Sequence, residues 1–361
     1  MNKEIYTPRT EGIKYAGSKL KILPHIIAVL SQLQDVEYVL DGFSGTTRVS
    51  QAFAQLNYHT TSNDIAIWSE VLATCYLKSE KEDKYYQEIL SYLNALDGYE
   101  GWFTHHYGGD INDKKKPFQR KNTKKLDAIR DAIEELQLDW VDKTVILTSL
   151  IYALDEVDST LGHYASYLST WSSRSFKDIF LRLPQRFPLA THNEVIRNNI
   201  FDVVQERAYD LVYFDPPYGS NNDKMPSSRI RYNSYYHIWK TVILHDKPDV
   251  FGKANRRVDS KDSYTTCPFE EYKKDSKGNF VAMNALNTLI SSAKTRYILL
   301  SYSSGGRVPK TALLDILHTH GKLIYKTEID YKRNVMSTMC STHQWSDEST
   351  GHKELLFLLE K

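Results

Sequence analysis

The sequence predicts an α/β fold with a doubly wound, mostly parallel sheet and an inserted helical domain. Three observations carry this prediction. Apolar runs of strand length alternate with segments of helical periodicity, which is the pattern of βαβ units. The chain of 361 residues is 41% hydrophobic and 25% charged, so it can bury a large core. Between residues 99 and 183 the strand-like runs stop, and only helical periodicity continues.

The first predicted elements are a helix, a strand, a second helix and a second strand. Ser18 is expected to cap the first helix, whose apolar residues recur up to Leu30, and Pro24 is expected to shorten or kink it. The elements that follow are a strand at 37–41, a helix at 49–56 and a strand at 59–62. A glycine turn follows the first strand, and Asp64 follows the second, which is βαβ spacing.

The remaining elements divide the chain into two predicted domains. Four further strands are predicted at 210–214, 297–301, 322–326 and 355–359. Amphipathic spacing predicts one helix over 126–136, and a continuous apolar run predicts a more buried helix over 145–154. We therefore expect a sheet domain from residues 1–98 and 190–361, with a helical domain of residues 99–189 inserted between its two parts.

Composition predicts a cytoplasmic protein that acts away from membranes. No stretch reaches the roughly 20 apolar residues that a membrane-spanning helix needs, and the first ten residues have no apolar signal-peptide core. The three cysteines have no CxxC spacing, so neither a disulfide framework nor a zinc site is indicated, and no metal is expected. The net charge of +1 gives no argument about a nucleic-acid partner.

Local charge is more informative at residues 114–125, called the basic stripe below. Its cations are Lys114, Lys115, Lys116, Arg120, Lys121, Lys124 and Lys125, with no acid among them. Such a run is either a phosphate-contacting surface or an ordinary solvated face. The stripe itself does not decide between these two interpretations.

The tetrapeptide Asp215-Pro216-Pro217-Tyr218 directly follows an apolar strand and carries the strongest chemical signal. Ligands bind beyond the carboxyl ends of parallel strands, so these residues are expected to form a pocket wall. The Asp215 carboxylate and the Pro216 carbonyl suit a flat ring with an exocyclic amine, such as adenine, on which Tyr218 would stack. Hydrogen bonds to the amine favour a nucleophilic nitrogen that attacks a methyl group. The alternative is an ordinary strand-terminating turn.

The upstream motifs indicate a nucleoside site beside this pocket. Gly42 and Gly45 allow the backbone to approach a ligand, and Asp64 can accept hydrogen bonds from ribose hydroxyls. The glycine turn does not match GxGxxG, the spacing that binds a pyrophosphate, so a dinucleotide ligand is disfavoured. S-adenosylmethionine, which has a nucleoside and no phosphates, is the better fit.

With these residues in this order, the chain resembles the DNA adenine-N6 methyltransferases of the Dam type over nearly its whole length. The segment with Tyr15, Gly17 and Lys19 is similar to the N-terminal motif of that family, whose tyrosine and lysine contact the cofactor. The segment with Asp41, Phe43 and Gly45 is similar to the family's glycine motif. Asp64 matches its ribose-binding acid, and Asp215, Pro216 and Tyr218 match its catalytic motif, with Asp215 also facing the cofactor.

The resemblance implies base flipping and methylation of adenine N6 in duplex DNA by a bacterial or phage protein, with a possible companion restriction endonuclease. Its helical domain would recognise the target. The candidate DNA contacts are Lys114, Lys115, Lys116, Arg120, Lys121, Lys124, Asn122, Tyr235 and His237. Methylation of cytosine N4 or of adenine in RNA remains open, because in both reactions an exocyclic amine also accepts the methyl group. A different class, a non-catalytic nucleic-acid-binding protein, also remains open.

One position departs from the family pattern. Many relatives have an aspartate before the catalytic strand that contacts the adenine of the cofactor. Here the spacing assigns that role to Asn199, with Asp202 as the competitor. An asparagine amide can also accept a hydrogen bond from an adenine amine.

Overall fold

The computed structural model describes residues 6–112, 116–219, 231–261, 267–330 and 353–361. Its strands are β1 (Tyr38–Asp41), β2 (His59–Asn63), β3 (Gly108–Gly109), β4 (Phe118–Gln119), β5 (Glu194–Ile196), β6 (Tyr209–Phe214), β7 (Val250–Phe251), β8 (Arg256–Arg257), β9 (Thr295–Ser303), β10 (Lys322–Asp330) and β11 (Lys353–Glu360). Its α-helices are α1 (Leu23–Leu30), α2 (Arg48–Gln55), α3 (Ile67–Lys78), α4 (Asp83–Ala95), α5 (Trp102–Tyr107), α6 (Arg120–Glu135), α7 (Trp140–Val157), α8 (Ile200–Glu206), α9 (Tyr232–Tyr235), α10 (His237–Leu244), α11 (Val281–Ser292) and α12 (Lys310–His320).

The described residues form a seven-stranded sheet with the order β10-β11-β9-β6-β1-β2-β5. All strand pairs from β9 to β5 are parallel, and β11 pairs antiparallel with both of its neighbours. The predicted doubly wound, mostly parallel sheet is therefore confirmed. Strand β2 lies on one side of β1 in the sheet, and β6, much later in the chain, lies on the other side of β1. The carboxyl ends of β1 and β6 consequently flank the point where ligands bind in open sheets of this type.

The first helix begins later than its apolar spacing predicted. Helix α1 starts at Leu23 with Ile22 at its N-cap position, and Pro24 lies in its first turn. A proline is tolerated there because the first N–H groups of a helix have no partner within the helix. Ser18 therefore does not cap α1, and Leu20, the apolar residue that follows it, lies before the helix and is 51% exposed.

Two hydrophobic clusters cover the sheet, and a third lies among the helices. Leu40, Phe214 and Leu300 belong to one face of the sheet, whereas Val39 and Leu299 belong to the other, as the alternation of a strand requires. Fully buried runs such as that of β6 match a parallel sheet covered on both faces.

The third cluster joins the helical segment to helices outside it. Val71 of α3, Ile129 of α6, Leu150 of α7 and Trp239 of α10 all belong to this cluster. The apolar face of α7 thus packs on residues from both sides of position 98. The domain division at 98/99 and 189/190 stays a prediction. No helix among the described ranges is long and apolar enough to cross a membrane.

Candidate active site

A cavity of about 790 Å³ opens where β1, β2 and β6 end. Each of these strands is followed or terminated by an acid whose side chain faces the cavity: Asp41, Asp64 and Asp215. All the residues predicted to bind the cofactor line it, namely Tyr15, Gly17, Lys19, Asp41, Phe43, Gly45, Asp64, Asn199 and Asp215. The fold therefore brings together motifs that lie up to 200 residues apart, because parallel strands end at one edge.

The glycine turn after β1 depends on two glycines for different reasons. Gly45 has a φ of +51°, which favours glycine, and a Cβ there would lie 3.1 Å from the Tyr15 ring. At Gly42, a Cβ would lie 2.9 Å from Cδ1 of Ile200 and 3.0 Å from Cδ1 of Phe214. The turn therefore stays close to both the N-terminal motif and the sheet.

Asp64 holds the glycine turn against the end of β2. Its Oδ2 accepts a hydrogen bond from the Gly45 N–H at 2.9 Å, and its Oδ1 accepts one from the Ala66 N–H at 2.9 Å. Burial raises the pKa of Asp64 above its ordinary value. Each carboxylate oxygen has a second lone pair, so the residue can organise the turn and still accept from a ligand.

Asp41 offers the clearest unused acceptor in the cavity. Its side chain is 1% exposed, and Oδ2 accepts a hydrogen bond from the Ser50 hydroxyl at 2.6 Å. Its Oδ1 has no hydrogen-bond partner among the described residues. Burial raises the pKa of Asp41 to about 7. A buried acceptor without a donor is costly, and a ligand that donates a hydrogen bond would satisfy it.

Asp215 is held by groups from two other parts of the chain. Lys19 Nζ lies 2.8 Å from Asp215 Oδ2 and 3.4 Å from Glu354 Oε1, and it donates to the Gly17 carbonyl at 3.0 Å. The Tyr218 hydroxyl is a hydrogen-bond partner of Asp215 Oδ1. Glu354 was not identified from the sequence, and its only signal is an acid at the start of an apolar run.

The charges at this site counteract one another. Burial raises the pKa of Asp215 to about 6, Lys19 opposes this rise, and Glu354 adds to it. Burial by itself would lower the pKa of the Lys19 ammonium, but the two facing carboxylates outweigh it, and the pKa is raised. Asp215 is therefore mostly ionised at neutral pH and protonated under mildly acidic conditions.

The catalytic motif departs from the prediction in the direction of its aromatic ring. Pro217 lines the cavity, whereas Pro216 is buried and neither Pro216 nor Tyr218 is among the lining residues of the described chain. The Tyr218 ring packs on Tyr302, with ring centroids 4.8 Å apart, and its hydroxyl turns to Asp215. The predicted stacking of Tyr218 on a base is therefore not what this arrangement presents, because the ring serves as packing and the hydroxyl as a hydrogen-bond donor.

The geometry separates the two candidates for contact with the cofactor's adenine. Asn199 lines the cavity and caps α8, where its Oδ1 accepts a hydrogen bond from the Phe201 N–H at 3.2 Å. Asp202 is exposed and is not among the lining residues. The arrangement favours Asn199, although its role in binding stays a prediction.

An aromatic stack that includes Tyr15 packs against the N-terminal motif. The ring centroids of Tyr15 and Tyr236 are 4.6 Å apart, and those of Tyr236 and Trp239 are 4.4 Å apart. The Tyr236 hydroxyl accepts a hydrogen bond from the Ala16 N–H at 2.8 Å, and the Tyr232 hydroxyl donates to the Ala16 carbonyl at 3.0 Å. The tyrosine-rich segment after the catalytic motif thus holds the first motif in place.

Two residues predicted to contact DNA have buried side chains, so this structure does not present them to a DNA groove. Asn122 is 1% exposed, and its amide donates to the Lys177 carbonyl and accepts from the Ile179 N–H. His237 is 0% exposed, and its Nε2 lies 3.0 Å from the Tyr164 carbonyl oxygen. Tyr235 is half-buried and stacks on His163, with centroids 4.3 Å apart.

The basic stripe has acidic partners that its own sequence does not contain. Lys114 and Lys115 lie outside the described residues. Arg120 Nε lies 3.0 Å from Asp110 Oδ1, Lys121 Nζ lies 2.5 Å from Asp178 Oδ1, and Lys124 Nζ lies 3.0 Å from Glu100 Oε1. Lys116 Nζ donates to the His106 carbonyl at 3.3 Å. Part of the positive charge is therefore balanced locally.

Comparison with known proteins agrees with the family resemblance of the sequence motifs. A family model described as D12 class N6 adenine-specific DNA methyltransferase matches residues 15–305. The type II methyltransferase M.FokI of Planomicrobium okeanokoites is 29% identical over 332 residues, which cover 86% of this chain and 47% of that protein. The modification methylase StsI of Streptococcus sanguinis is 28% identical, with 84% of this chain and 46% of that protein covered.

The relatives differ in how much of their length the chain covers. The chain spans about half the length of the two relatives above. The type II methyltransferase M.NlaIII of Neisseria lactamica is 26% identical over 360 residues, which cover 97% of this chain and 99% of that protein. The region that the family model matches, residues 15–305, includes both the N-terminal motif and the catalytic motif.

Proposed function

Because the chain belongs to the D12 class of N6 adenine-specific DNA methyltransferases, we propose that it methylates N6 of adenine in double-stranded DNA. The methyl donor in this proposal is S-adenosylmethionine. The observation that carries it is Asp215, a carboxylate with a 14% exposed side chain directly after β6, which opens onto the large cavity and is held by Lys19. The description of the family supports a DNA substrate. The proposal also includes a separate companion restriction endonuclease, in keeping with relatives that are named type II methyltransferase and modification methylase.

The cavity has the chemistry that this donor requires. When bound, S-adenosylmethionine supplies a methyl group on a positively charged sulfur. The unpartnered Oδ1 of Asp41 is a buried acceptor for the amino-acid end of such a ligand. Asp64 would accept from ribose hydroxyls, and Asn199 would contact the adenine. The other residues that would hold the ligand are Tyr15, Gly17, Lys19, Phe43 and Gly45.

Asp215 would act on the amine of the target base. An adenine must leave the base stack to reach a carboxylate in this cavity, so the proposed reaction includes base flipping. The ionised Asp215 accepts a hydrogen bond from the N6 amine, which favours a nucleophilic nitrogen. As the nitrogen–carbon bond forms and the carbon–sulfur bond breaks, an N6 proton must leave, and Asp215 is the adjacent acceptor. Lys19 keeps this carboxylate oriented and mostly ionised at neutral pH.

The test is transfer of radiolabelled methyl from S-adenosylmethionine to duplex DNA by wild type and by Asp215→Ala. We expect the variant to remain folded by circular dichroism and to lose at least about 10³-fold in rate, because the acceptor for the amine is gone. Glu206→Ala, which changes an exposed acid outside the cavity, is the matched control and should retain activity. A loss of less than about tenfold, roughly 1.4 kcal/mol of barrier, would contradict the assignment.

The product identifies the base. Digestion of the labelled DNA should yield N6-methyladenine. Recovery of the label in N4-methylcytosine, or transfer to RNA but not to DNA, would contradict the proposed substrate.

A further inference from the structure

The last strand of the sheet brings a second acid to the catalytic centre. Strand β11 runs antiparallel to β9, so its first residues lie at the edge where the parallel strands end. Glu354 is the second residue of β11 and is 7% exposed. It pairs with Ser303 of β9, and β9 is the strand that separates β11 from β6 in the sheet. An acid from the far end of the sequence therefore lies beside Asp215.

The contacts of Glu354 are with the groups that hold Asp215. Its Oε1 lies 2.5 Å from the Tyr218 hydroxyl and 3.4 Å from Lys19 Nζ. The Ser301 hydroxyl donates to the same oxygen at 2.7 Å. Glu354 is not among the residues that line the described cavity. Its position fits a group that acts through Lys19 and Tyr218 rather than on a ligand.

We propose that Glu354 is a positioning residue of the catalytic centre, which holds the Lys19 ammonium and the Tyr218 hydroxyl against Asp215. This inference rests on the proposed function of Asp215. An ammonium has three N–H donors, and Lys19 has three acceptors, the Gly17 carbonyl, Asp215 and Glu354. The phenol of Tyr218 has one proton and two carboxylates within reach. Glu354, which is not among the residues that line the described cavity, therefore fixes both groups.

The charge of Glu354 also affects the ionisation of Asp215. The charged and titratable groups around Asp215 are Lys19 from the N-terminal motif, Asp41 at the end of β1, Tyr213 of β6, Tyr218, Tyr232 of α9 and Glu354 of β11. Of these, Glu354 is the acid that most directly shares Lys19 with Asp215. When the negative charge of Glu354 is removed, Asp215 is the one carboxylate of this pair that still faces the Lys19 ammonium, and the repulsion from Glu354 is lost. The pKa of Asp215 should then fall below its value of about 6.

The experiment measures this pKa directly in the full chain without DNA or methyl donor. The aspartate carboxyl carbons are labelled with carbon-13, the Asp215 signal is assigned with Asp215→Asn, and wild type is compared with Glu354→Gln and Glu354→Asp. We expect the Asp215 titration midpoint to fall by on the order of one pH unit in Glu354→Gln. The midpoint should fall by less in Glu354→Asp, because aspartate keeps the negative charge but its side chain is shorter by one methylene.

Glu360→Gln is the matched control, since Glu360 lies at the other end of β11 and pairs with Arg296 instead. It should leave the Asp215 midpoint unchanged. Equal midpoints in wild type and both Glu354 variants, or the same shift in Glu360→Gln, would overturn the proposal. If Glu354→Gln does not fold, the comparison of Glu354→Asp with wild type decides by itself. Because no methyl transfer is needed, this outcome does not depend on the identity of the substrate.

Kinetics supply a second readout that a merely structural role would not move. In Glu354→Gln the acid limb of the rate against pH should shift to lower pH together with the Asp215 midpoint. At pH 8 we expect kcat to fall by about tenfold, because Lys19 and Tyr218 are less well oriented, while KM for DNA changes by less than about twofold. A larger KM with an unchanged kcat and an unshifted acid limb would contradict a positioning role.

Discussion

Three aspartates at the edge of the sheet show how burial and hydrogen bonding divide similar residues among different tasks. Asp41 has one oxygen on Ser50 and one that meets no donor in the described part of the chain, Asp64 accepts from two backbone N–H groups, and Asp215 faces an ammonium. The pKa of each is raised, with burial as the largest cause. Since their partners differ, substitutions at the three positions should have different consequences.

Substitution of Asp64 should weaken the binding of the methyl donor more than the binding of DNA. In Asp64→Ala the ribose acceptor is lost, and the Gly45 N–H loses its partner. We expect a 10- to 100-fold weaker affinity for S-adenosylmethionine, about 1.5–3 kcal/mol, in titration calorimetry. Affinity for duplex DNA, measured by fluorescence anisotropy, should change little. Unchanged affinity for the donor would remove Asp64 from the binding site.

His237 should contribute to the pH dependence of stability. Burial lowers its pKa to about 3 in the folded protein, below the value of about 6.5 expected when unfolded. The unfolded chain therefore binds this proton first, and stability is lost as pH falls from about 6.5 towards 3. Between pH 7 and pH 5, wild type should lose about 2 kcal/mol more than His237→Gln in urea unfolding. Parallel losses in the two proteins would show that the histidine becomes charged in the folded state.

Among the elements, the short helix α5 depends on a side chain from α6. Asp127 is 3% exposed and accepts hydrogen bonds from the N–H groups of Gly101, Phe103 and Thr104 and from the Thr104 hydroxyl. These N–H groups are at the start of α5, where no carbonyl within the helix can serve them. A carboxylate at this position also suits the positive end of the helix dipole.

Replacing Asp127 should therefore destabilise the helical segment. Asp127→Ala leaves the buried N–H groups of Phe103 and Thr104 and the partly buried N–H of Gly101 without this acceptor, and we expect the free energy of unfolding to fall by about 2–4 kcal/mol. Asp127→Asn keeps an acceptor oxygen and should lose less. Urea unfolding followed by tryptophan fluorescence measures both. An Asp127→Ala loss below about 0.5 kcal/mol would mean that water replaces the carboxylate.

For the molecule as a whole, the question is which surface meets the DNA backbone. An alternative basic surface is the segment after the catalytic motif that contains Lys253, Arg256 and Arg257. The described cations of the basic stripe have partners, and so do the two arginines of this segment. Arg257 pairs with Asp246 at 2.6 Å, and Arg256 donates to the Ser260 carbonyl at 2.6 Å. Lys253 of that segment is exposed. DNA phosphates would therefore compete with existing ion pairs for most of these side chains.

The stripe can be tested by neutralising Lys114, Lys115 and Lys116 together. If they contact phosphates, binding to all duplexes should weaken, and the slope of log affinity against log salt should flatten by up to about 0.9 per lost contact. Target preference should survive, because phosphate contacts do not read sequence. Neutralising Lys322 and Lys326, which are exposed on the edge strand β10, is the control. An unchanged slope would direct the search to Lys253.

The patterns along the chain were sufficient to predict six of the seven strands of the sheet, all but β5, and to name residues that line the cavity. The glycine turn, Asp64 and the catalytic motif each follow a strand, and parallel strands all end at one edge, whereas Tyr15 precedes the first strand and was grouped with them through the family resemblance. The residues Tyr15, Asp41, Asp64 and Asp215 could therefore be grouped without knowing any distance between them. The family assignment follows from the same motifs, which the matched region of 15–305 contains.

What the sequence determined by itself is the set of groups at the ends of the parallel strands, because local pattern and strand direction suffice for that. Only the tertiary structure decided what depends on partners distant in the chain. It buries Asn122 and His237, supplies Glu100 and Asp178 as acids for the basic stripe, and turns the Tyr218 hydroxyl to Asp215. It also brings Glu354 to the site, since only the antiparallel pairing of β11 with β9 places the start of that strand at the catalytic edge. Such contacts carry no local signal, because burial and pairing are properties of the packed chain.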